Sequence, residues 1–139
     1  MSSYNNIVVA IDFSEQSIKA FRRAINVALE NKASLLLVHV IDTQSFGIGA
    51  YNIKFGDKVK AKSILDIENI KNEANAAGVE NVEVLVEAGS PIGIITKLPD
   101  VDLIICGATG YNSIENVVIG SVAERIVRLA KCDVLVVRT

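Results

Sequence analysis

The chain has 139 residues and a formal net charge of −2, with 50% hydrophobic and 5% aromatic residues. This length favours a single domain over residues 1–139, and the nearly balanced charge gives no electrostatic footprint for nucleic acid or an anionic membrane surface. No signal peptide is apparent at the start of the chain, and no apolar run reaches the length of a membrane span. We therefore expect a cytoplasmic protein that binds neither nucleic acid nor membrane.

Five short aliphatic runs alternate with segments of helical periodicity. They predict strands at residues 7–11, 35–41, 82–86, 103–106 and 134–137. Strands that alternate with helices predict a parallel sheet with right-handed crossovers. We therefore expect an α/β fold in which helices cover both faces of a doubly wound, Rossmann-like, five-stranded parallel sheet of order 3-2-1-4-5.

The segments between the first four strands carry three sets of helix signals. A stripe of apolar side chains predicts the first helix, with Ser14 as its N-cap. Residues 58–77 predict a second helix, which Gly78 ends as its C′ residue. Ser90 followed by Pro91 predicts the cap and first residue of a short third helix that continues to residue 98.

The last helix is predicted over residues 121–131. Ser121 and Glu124 have the spacing of a capping box, which makes Ser121 the expected N-cap. The periodicity of the segment predicts that Val122, Ile126 and Leu129 face the core.

One predicted connection, residues 42–56, is long for a compact domain and contains three glycines. Connections of this length are usually functional or disordered. It leaves the carboxyl end of the second strand, so it is either a lid over a ligand or a flexible loop.

A set of glycines follows the fourth predicted strand. Gly107 and Gly110 lie three residues apart, and Gly120 follows after nine more residues, directly before the last helix. Glycine allows sharp turns and close approach of a ligand, and the N-terminus of a helix favours anions. Asp12, which ends the first strand, shares this sheet edge if strands 1 and 4 are neighbours. The pattern predicts a phosphate-binding loop; the alternatives are simple turn glycines and an Asp12 that only caps a helix.

The sequence resembles the universal stress protein family from about Asn6 to Arg138. The resemblance is carried by the segments 10–14 (Ala-Ile-Asp-Phe-Ser) and 39–42 (His-Val-Ile-Asp), and by the glycine pattern that ends in Gly-Ser-Val-Ala-Glu-Arg at residues 120–125. The glycine spacing is similar to that of the ATP-binding branch of the family. The resemblance implies a sheet like that of the adenine nucleotide alpha hydrolases.

The resemblance also implies a function, an adenine-nucleotide-binding regulator of the stress response or a nucleotide-dependent switch. The implied ligand is ATP, or ADP or AMP, with Mg²⁺ or Mn²⁺ bridging the phosphates. The implied binding residues are Ala10, Ile11, Asp12, Val40, Cys106, Gly107, Gly110, Gly120, Ser121 and Val122. In that assignment Asp12 accepts a hydrogen bond from the adenosine, the backbone of Val40 contacts adenine, and the residues from Gly107 onward hold ribose and phosphates.

Two features depart from the family pattern. Tyr111 follows the second glycine, where family members often have a basic residue, and no Lys or Arg lies between Gly110 and Gly120. The phosphates would then depend on backbone amides, the helix terminus and metal, so the triphosphate end is less favoured than the adenosine. The third helix is about one turn shorter than usual, which affects stability and not the site.

No nucleophile or general base is indicated by a motif. His39 lies in an aliphatic strand and is interpreted as a packed imidazole and not as a catalytic base. The alternatives to a pure binder are a slow ATPase, or an autophosphorylating protein with Ser121 or Ser113 as acceptor.

A further alternative is a dimeric interaction protein that binds no nucleotide. The C-terminal strand, from Val134 to Val137, is predicted to lie at the sheet edge, where an apolar strand invites pairing with a second chain. Antiparallel pairing across a twofold axis predicts a homodimer, which the family resemblance also implies.

Overall fold

The computed structural model describes residues 4–42, 53–109 and 119–138. Over these ranges five strands alternate with four helices. The strands are β1 (Asn6–Ala10), β2 (Ser34–Asp42), β3 (Val82–Gly89), β4 (Leu103–Gly107) and β5 (Asp133–Val137), and the helices are α1 (Glu15–Asn31), α2 (Ile53–Ala77), α3 (Pro91–Thr96) and α4 (Ser121–Leu129). None of the helices in these ranges is long and apolar enough to cross a membrane.

The strands form one parallel sheet of order β3-β2-β1-β4-β5, which confirms the predicted fold class and topology. Successive residues of β1 point to opposite faces of the sheet, because side chains alternate along a strand. Ile7 and Val9 pack in the core beneath α1 and α2, and Val8 packs in a second core beneath α3 and α4. Both faces are therefore covered by helices.

At the carboxyl edge of the sheet, the central strand β1 ends before its two neighbours, β2 and β4. Pairing between β1 and β2 ends where Ala10 aligns with Val38, whereas β2 continues four residues further to Asp42. At 3.3 Å per residue this overhang is about 13 Å. On the other side, Val9 aligns with Ile105, so β4 also ends beyond β1. We call the space between these strand ends the β1 recess; it lies where the winding of the sheet reverses, the usual position for ligands in such folds.

The predicted N-caps of α1 and α3 and the predicted end of α2 are confirmed. The Oγ of Ser14 accepts from the N–H of Ser17 at 3.1 Å and caps α1. Ser90 caps α3 in the same way, with Pro91 as the first helical residue, although α3 ends at Thr96 and not at residue 98. Gly78, with φ of +112°, follows the last residue of α2.

The second helix begins earlier than predicted, at Ile53 and not at residue 58. Part of the predicted 42–56 connection is therefore helical. The remainder, residues 43–52, lies outside the described residues, and so does the prediction that it is a lid or a flexible loop.

The predicted first residue of α4, Ser121, and the burial of Ile126 are confirmed, but the predicted N-cap and the inward positions of Val122 and Leu129 were wrong. Gly120 is the N-cap, with no side-chain cap hydrogen bond, and Ser121 is the first helical residue. The helix packs through Ala123 and Ile126, which are 3% and 0% exposed. Small Ala123 lets the helix lie close to the sheet, and this rotates Val122 and Leu129 outward, where they are 45% and 50% exposed. The helix also ends at Leu129, two residues before the predicted end.

Candidate functional site

The turn between β1 and α1 holds Asp12 by one of its two carboxylate oxygens. Oδ1 of Asp12 accepts from the N–H of Ser14 at 2.9 Å and from the Ser14 hydroxyl. The N–H of Asp12 in turn donates to Oγ of Ser17 at 3.3 Å. Ser14 and Ser17 are both 4% exposed, whereas Asp12 is exposed. Asp12 therefore does stabilise the helix start, and its Oδ2 has no hydrogen-bond partner within the described residues.

The same turn is held against β2 by His39. Nδ1 of His39 lies 2.6 Å from the carbonyl oxygen of Ile11. The imidazole also packs against the ring of Phe13, with centroids 4.6 Å apart and planes tilted by 48°. Phe13 has φ of +64°, a backbone conformation that a bulky residue rarely adopts without support from its surroundings. The interpretation of His39 as a packed imidazole agrees with these contacts, and the ring also forms a hydrogen bond with the backbone of Ile11.

Val40 lies in β2 beyond the last residue that is paired with β1. Backbone groups of β2 alternate between its neighbours: the N–H of Ser34 donates to Asn5 O on the β1 side at 2.8 Å, and that of Leu35 donates to Asn81 O on the β3 side at 2.9 Å. Val40 is an even-numbered residue and therefore presents its N–H and C=O to the β1 recess. Within the described residues neither group has a hydrogen-bond partner.

Gly107, at the end of β4, is explained by close packing. A Cβ at this position would lie 3.1 Å from the carbonyl oxygen and 3.2 Å from the carbonyl carbon of Gln16, in the first turn of α1. Its φ is not in the left-handed region. Gly107 is therefore not needed for a sharp turn. It is needed because the absence of a side chain lets α1 pack closely against the end of β4.

Gly120 brings the start of α4 to the end of β4. Its N–H donates to Ala108 O at 2.7 Å, and a Cβ would lie 3.3 Å from that oxygen. Ser121 and Val122, the first two helical residues, are exposed at the resulting helix N-terminus. Backbone N–H groups at such an end lack partners in the helix itself and favour anions. Gly110, the other predicted glycine of the loop, lies outside the described residues.

The remaining predicted residues line the strand ends. Ala10 is the half-buried last residue of β1, and Ile11 is buried and donates its N–H to Val38 O at 2.8 Å. Cys106 is 4% exposed, and burial raises the pKa of its thiol to about 11. Cys106 is therefore a protonated, apolar packing residue at neutral pH, and it forms no disulfide with Cys132.

Comparison with known proteins identifies the family. The family model described as "Universal stress protein family" matches residues 3–138 of the chain. The chain belongs to the universal stress protein family. A protein named as a universal stress protein in Staphylococcus haemolyticus is 42% identical over 144 aligned positions, which cover all of this chain and 87% of the relative. One from Staphylococcus epidermidis is 44% identical with the same coverage.

Solved structures of universal stress proteins have the same fold. The protein UspA from Lactobacillus plantarum superposes with a TM-score of 0.87 at 28% identity, covering 99% of this chain and all of that one. A universal stress protein in complex with cAMP superposes with a TM-score of 0.72 at 29% identity, covering 99% of each chain.

Two side chains that contact the candidate site residues of this universal stress protein, Ser14 and His39, are absent from the predicted set. Ser14 was predicted only as a helix cap, although the Asp-x-Ser spacing allows the hydrogen bonds that it donates to Asp12. The sequence pattern indicates His39 as a packed imidazole and not as a hydrogen-bond donor. No local pattern reveals its contact with Ile11, because that contact depends on the register of two strands that are 28 residues apart in the sequence.

Proposed function

We propose that this universal stress protein, as a single domain, binds adenine nucleotides at the β1 recess and acts as a cytoplasmic stress-response regulator whose ligand switches its state. The observation that carries the proposal is that the N–H and C=O of Val40, which face the recess beyond the last paired residues of β1, have no hydrogen-bond partner within the described residues. A related universal stress protein was solved in complex with cAMP, which supports an adenine ligand.

The base is assigned to Val40. Adenine carries a hydrogen-bond acceptor, N1, beside a donor, the N6 amino group, on one edge. The backbone N–H and C=O of Val40 form the complementary pair, and half-buried Ala10 lies next to them at the end of β1. Guanine has the opposite order of donor and acceptor on that edge, so this arrangement discriminates against guanine nucleotides.

The ribose is assigned to Asp12. Because Oδ1 is committed to Ser14, Oδ2 is the oxygen that accepts from a ribose hydroxyl. A hydrogen bond to a charged acceptor contributes about 1.5–3 kcal/mol. The adenosine part of the ligand is therefore the better-held part.

The phosphates are assigned to the N-terminus of α4, through the backbone of Gly120, Ser121 and Val122, with Gly107 and Gly110 completing the loop. Within the described residues no three His, Cys, Asp or Glu side chains gather into a metal site. Mg²⁺ or Mn²⁺ would therefore be held through the phosphates themselves, because these hard cations prefer oxygen ligands. ATP, ADP and AMP share the adenosine contacts and differ only at this end.

The proposal is for binding and not for efficient turnover. His39, the single histidine of the chain, is committed through Nδ1 to a backbone carbonyl, and within the described residues the Ser121 hydroxyl has no hydrogen bond to a group that could activate it. Slow hydrolysis or autophosphorylation would appear as phosphate release or as labelling above the level of a binding-deficient variant.

Two measurements test the nucleotide proposal. Denatured protein analysed by mass spectrometry reveals any adenine nucleotide that co-purifies. Calorimetric titration of the native protein with adenosine, AMP, ATP and GTP, with and without Mg²⁺, then ranks the ligands, and we expect adenine ligands to bind and GTP to fail. No binding of ATP at millimolar concentration would overturn the proposal.

A matched pair of variants tests the phosphate end. Ser121→Glu places a negative charge at the first position of α4, where it favours the helix dipole but repels phosphate; Ser121→Gln is its uncharged control. One like-charge contact of about 1 kcal/mol corresponds to roughly 5-fold weaker binding of ATP in the Glu variant. Adenosine affinity should be equal in the two variants, and equal ATP affinity would place the phosphates elsewhere.

A homodimer through β5 is the proposed assembly. Val134 to Val137 are half-buried, and within the described residues β5 has β4 as its neighbour on one side only. Ala108 N–H donates to Val137 O at 3.0 Å, so the backbone N–H and C=O groups of odd-numbered β5 residues point toward β4, and Val136 presents its N–H outward.

A matched pair of variants tests this interface. Val136→Pro removes only an outward donor, and Val136→Ala is its control. Analytical ultracentrifugation should find the Pro variant monomeric and the Ala variant dimeric; a dimeric Pro variant excludes this interface.

A further inference from the structure

The parallel ladder between β1 and β2 stops where His39 contacts the Ile11 carbonyl. The N–H of Ile11 donates to Val38 O at 2.8 Å, so the next rung of a parallel ladder would run from the N–H of Val40 to the Ile11 carbonyl. The Ile11 carbonyl is instead within 2.6 Å of Nδ1 of His39. Within the described residues the Ile11 carbonyl is therefore bonded to the imidazole and not to Val40, and β1 ends as a paired strand at Ala10.

The direction of this hydrogen bond follows from chemistry. A carbonyl oxygen only accepts, so Nδ1 of His39 carries the proton and donates. The ring is half-buried on the sheet face where Leu37 and Ile41 enter the core, and the tilted ring of Phe13 packs against it. Phe13 belongs to the same turn as Asp12. The imidazole therefore contacts this turn on both sides of Asp12, at Ile11 through the hydrogen bond and at Phe13 through the ring.

We infer that His39 is a positioning residue of the adenosine site, which keeps the Val40 N–H available to the base by binding the Ile11 carbonyl in its place. Without the imidazole, the chain has a ready alternative, since closing one more rung satisfies the Ile11 carbonyl and withdraws the donor from the recess. The effect on ligand affinity rests on the proposed nucleotide function. The effect on the Val40 amide belongs to the free protein and does not.

Two substitutions of similar size separate the effect of the His39 hydrogen-bond donor from the effect of its packing against Phe13. His39→Asn retains a side-chain N–H at the position of Nδ1, and His39→Leu does not; both lose the same aromatic contact with Phe13. In the free protein we expect hydrogen exchange of the Val40 amide to be about 10-fold slower in the Leu variant than in the Asn variant, because only the Leu variant gains the extra rung. The Ile11 amide, which is bonded to Val38 in every form, is the internal control.

The binding arm uses adenosine, which avoids any contribution from the phosphates. Loss of one neutral hydrogen bond predicts about 3- to 10-fold weaker adenosine binding by the Leu variant than by the Asn variant. If the wild-type protein binds no adenine ligand at all, the nucleotide proposal fails, and the exchange measurement still decides the role of His39.

A measurement on the unaltered protein removes dependence on the variants. Long-range ¹H–¹⁵N NMR of the imidazole distinguishes the two neutral tautomers, and the Nδ1–H form is expected. The Nε2–H form would overturn the inference. Equal Val40 exchange in the Leu and Asn variants, whatever their affinities, would overturn it as well.

Discussion

Replacing Asp12 with Asn separates the two roles of this side chain. Oδ1 of Asp12 accepts from both the N–H and the hydroxyl of Ser14, so in the variant the amide oxygen faces Ser14 and the amide NH₂ takes the place of Oδ2. The turn keeps both hydrogen bonds. A ribose hydroxyl that needs an acceptor meets a donor.

The magnitudes of the two effects differ widely. The lost contact is a hydrogen bond to a charged group, about 1.5–3 kcal/mol, which corresponds to roughly 10- to 150-fold weaker binding of adenosine. The bonds to Ser14 persist in neutral form, so the free energy of unfolding should fall by about 1 kcal/mol or less. The substitution is therefore expected to reduce affinity far more than stability.

Calorimetric titration with adenosine and urea denaturation measure these two quantities. Glu73→Gln is the control, since Glu73 forms an exposed ion pair with Arg22 on the outer surface of the helices, at 3.3 Å, and its loss should change neither quantity appreciably. Adenosine affinity of Asp12→Asn equal to that of the wild type would refute the reasoning. Asp12 would then serve only to stabilise the start of α1.

Three other predictions concern the surroundings of the site. Ser14→Ala removes the side-chain N-cap of α1 and the hydroxyl donor to Asp12 but keeps the backbone N–H donor, and urea denaturation should show a loss of about 1–2 kcal/mol; an unchanged midpoint would contradict the capping geometry. Gly107→Ala should destabilise by about 1–3 kcal/mol because its Cβ meets the backbone of Gln16, whereas Gly93→Ala, whose Cβ has 3.7 Å of clearance within α3, should stabilise by about 0.5–1 kcal/mol. Thermal melts that rank these two variants in the reverse order would refute the packing argument. Alkylation followed by peptide mapping should find buried Cys106 slower to react than half-buried Cys132, with the rate at Cys106 rising as pH approaches its raised pKa of about 11; equal rates at pH 8 would contradict its burial.

The strand order could be predicted because its determinants are local. Aliphatic runs of strand length, separated by capped helical segments such as the one that begins after Ser14, leave few topologies once crossovers are right-handed. The position of Asp12 and Gly107 at one sheet edge follows from that topology. The glycine spacing gave the start of α4 to within one residue.

The orientation of α4 could not be predicted in the same way. Its short segment contains two overlapping apolar stripes, one through Val122 and Leu129 and one through Ala123, both including Ile126. Periodicity alone favours the larger side chains, whereas close packing on the sheet selects the stripe with the small one. Tertiary packing decides between the stripes, and it is not visible in the sequence of the helix.

The role of Gly107 and the contact of His39 also depend on three-dimensional proximity. Gly107 is required by the backbone of Gln16, which precedes it by more than ninety residues. The imidazole of His39 meets the Ile11 carbonyl only because β1 and β2 align in one particular register. Neither neighbour can be identified before the register of the sheet is known.

The β1 recess limits how a partner protein could detect whether a ligand is bound. A base seated there would complete the hydrogen bonding of a strand edge that is already formed, so the free and bound proteins would share one sheet with no shift of register. Ligand binding would then cause no rearrangement of the sheet that another protein could detect. A partner protein that distinguishes the two forms would have to recognise the mouth of the recess itself, including the exposed portion of the ligand, and this makes the nucleotide part of the recognised surface.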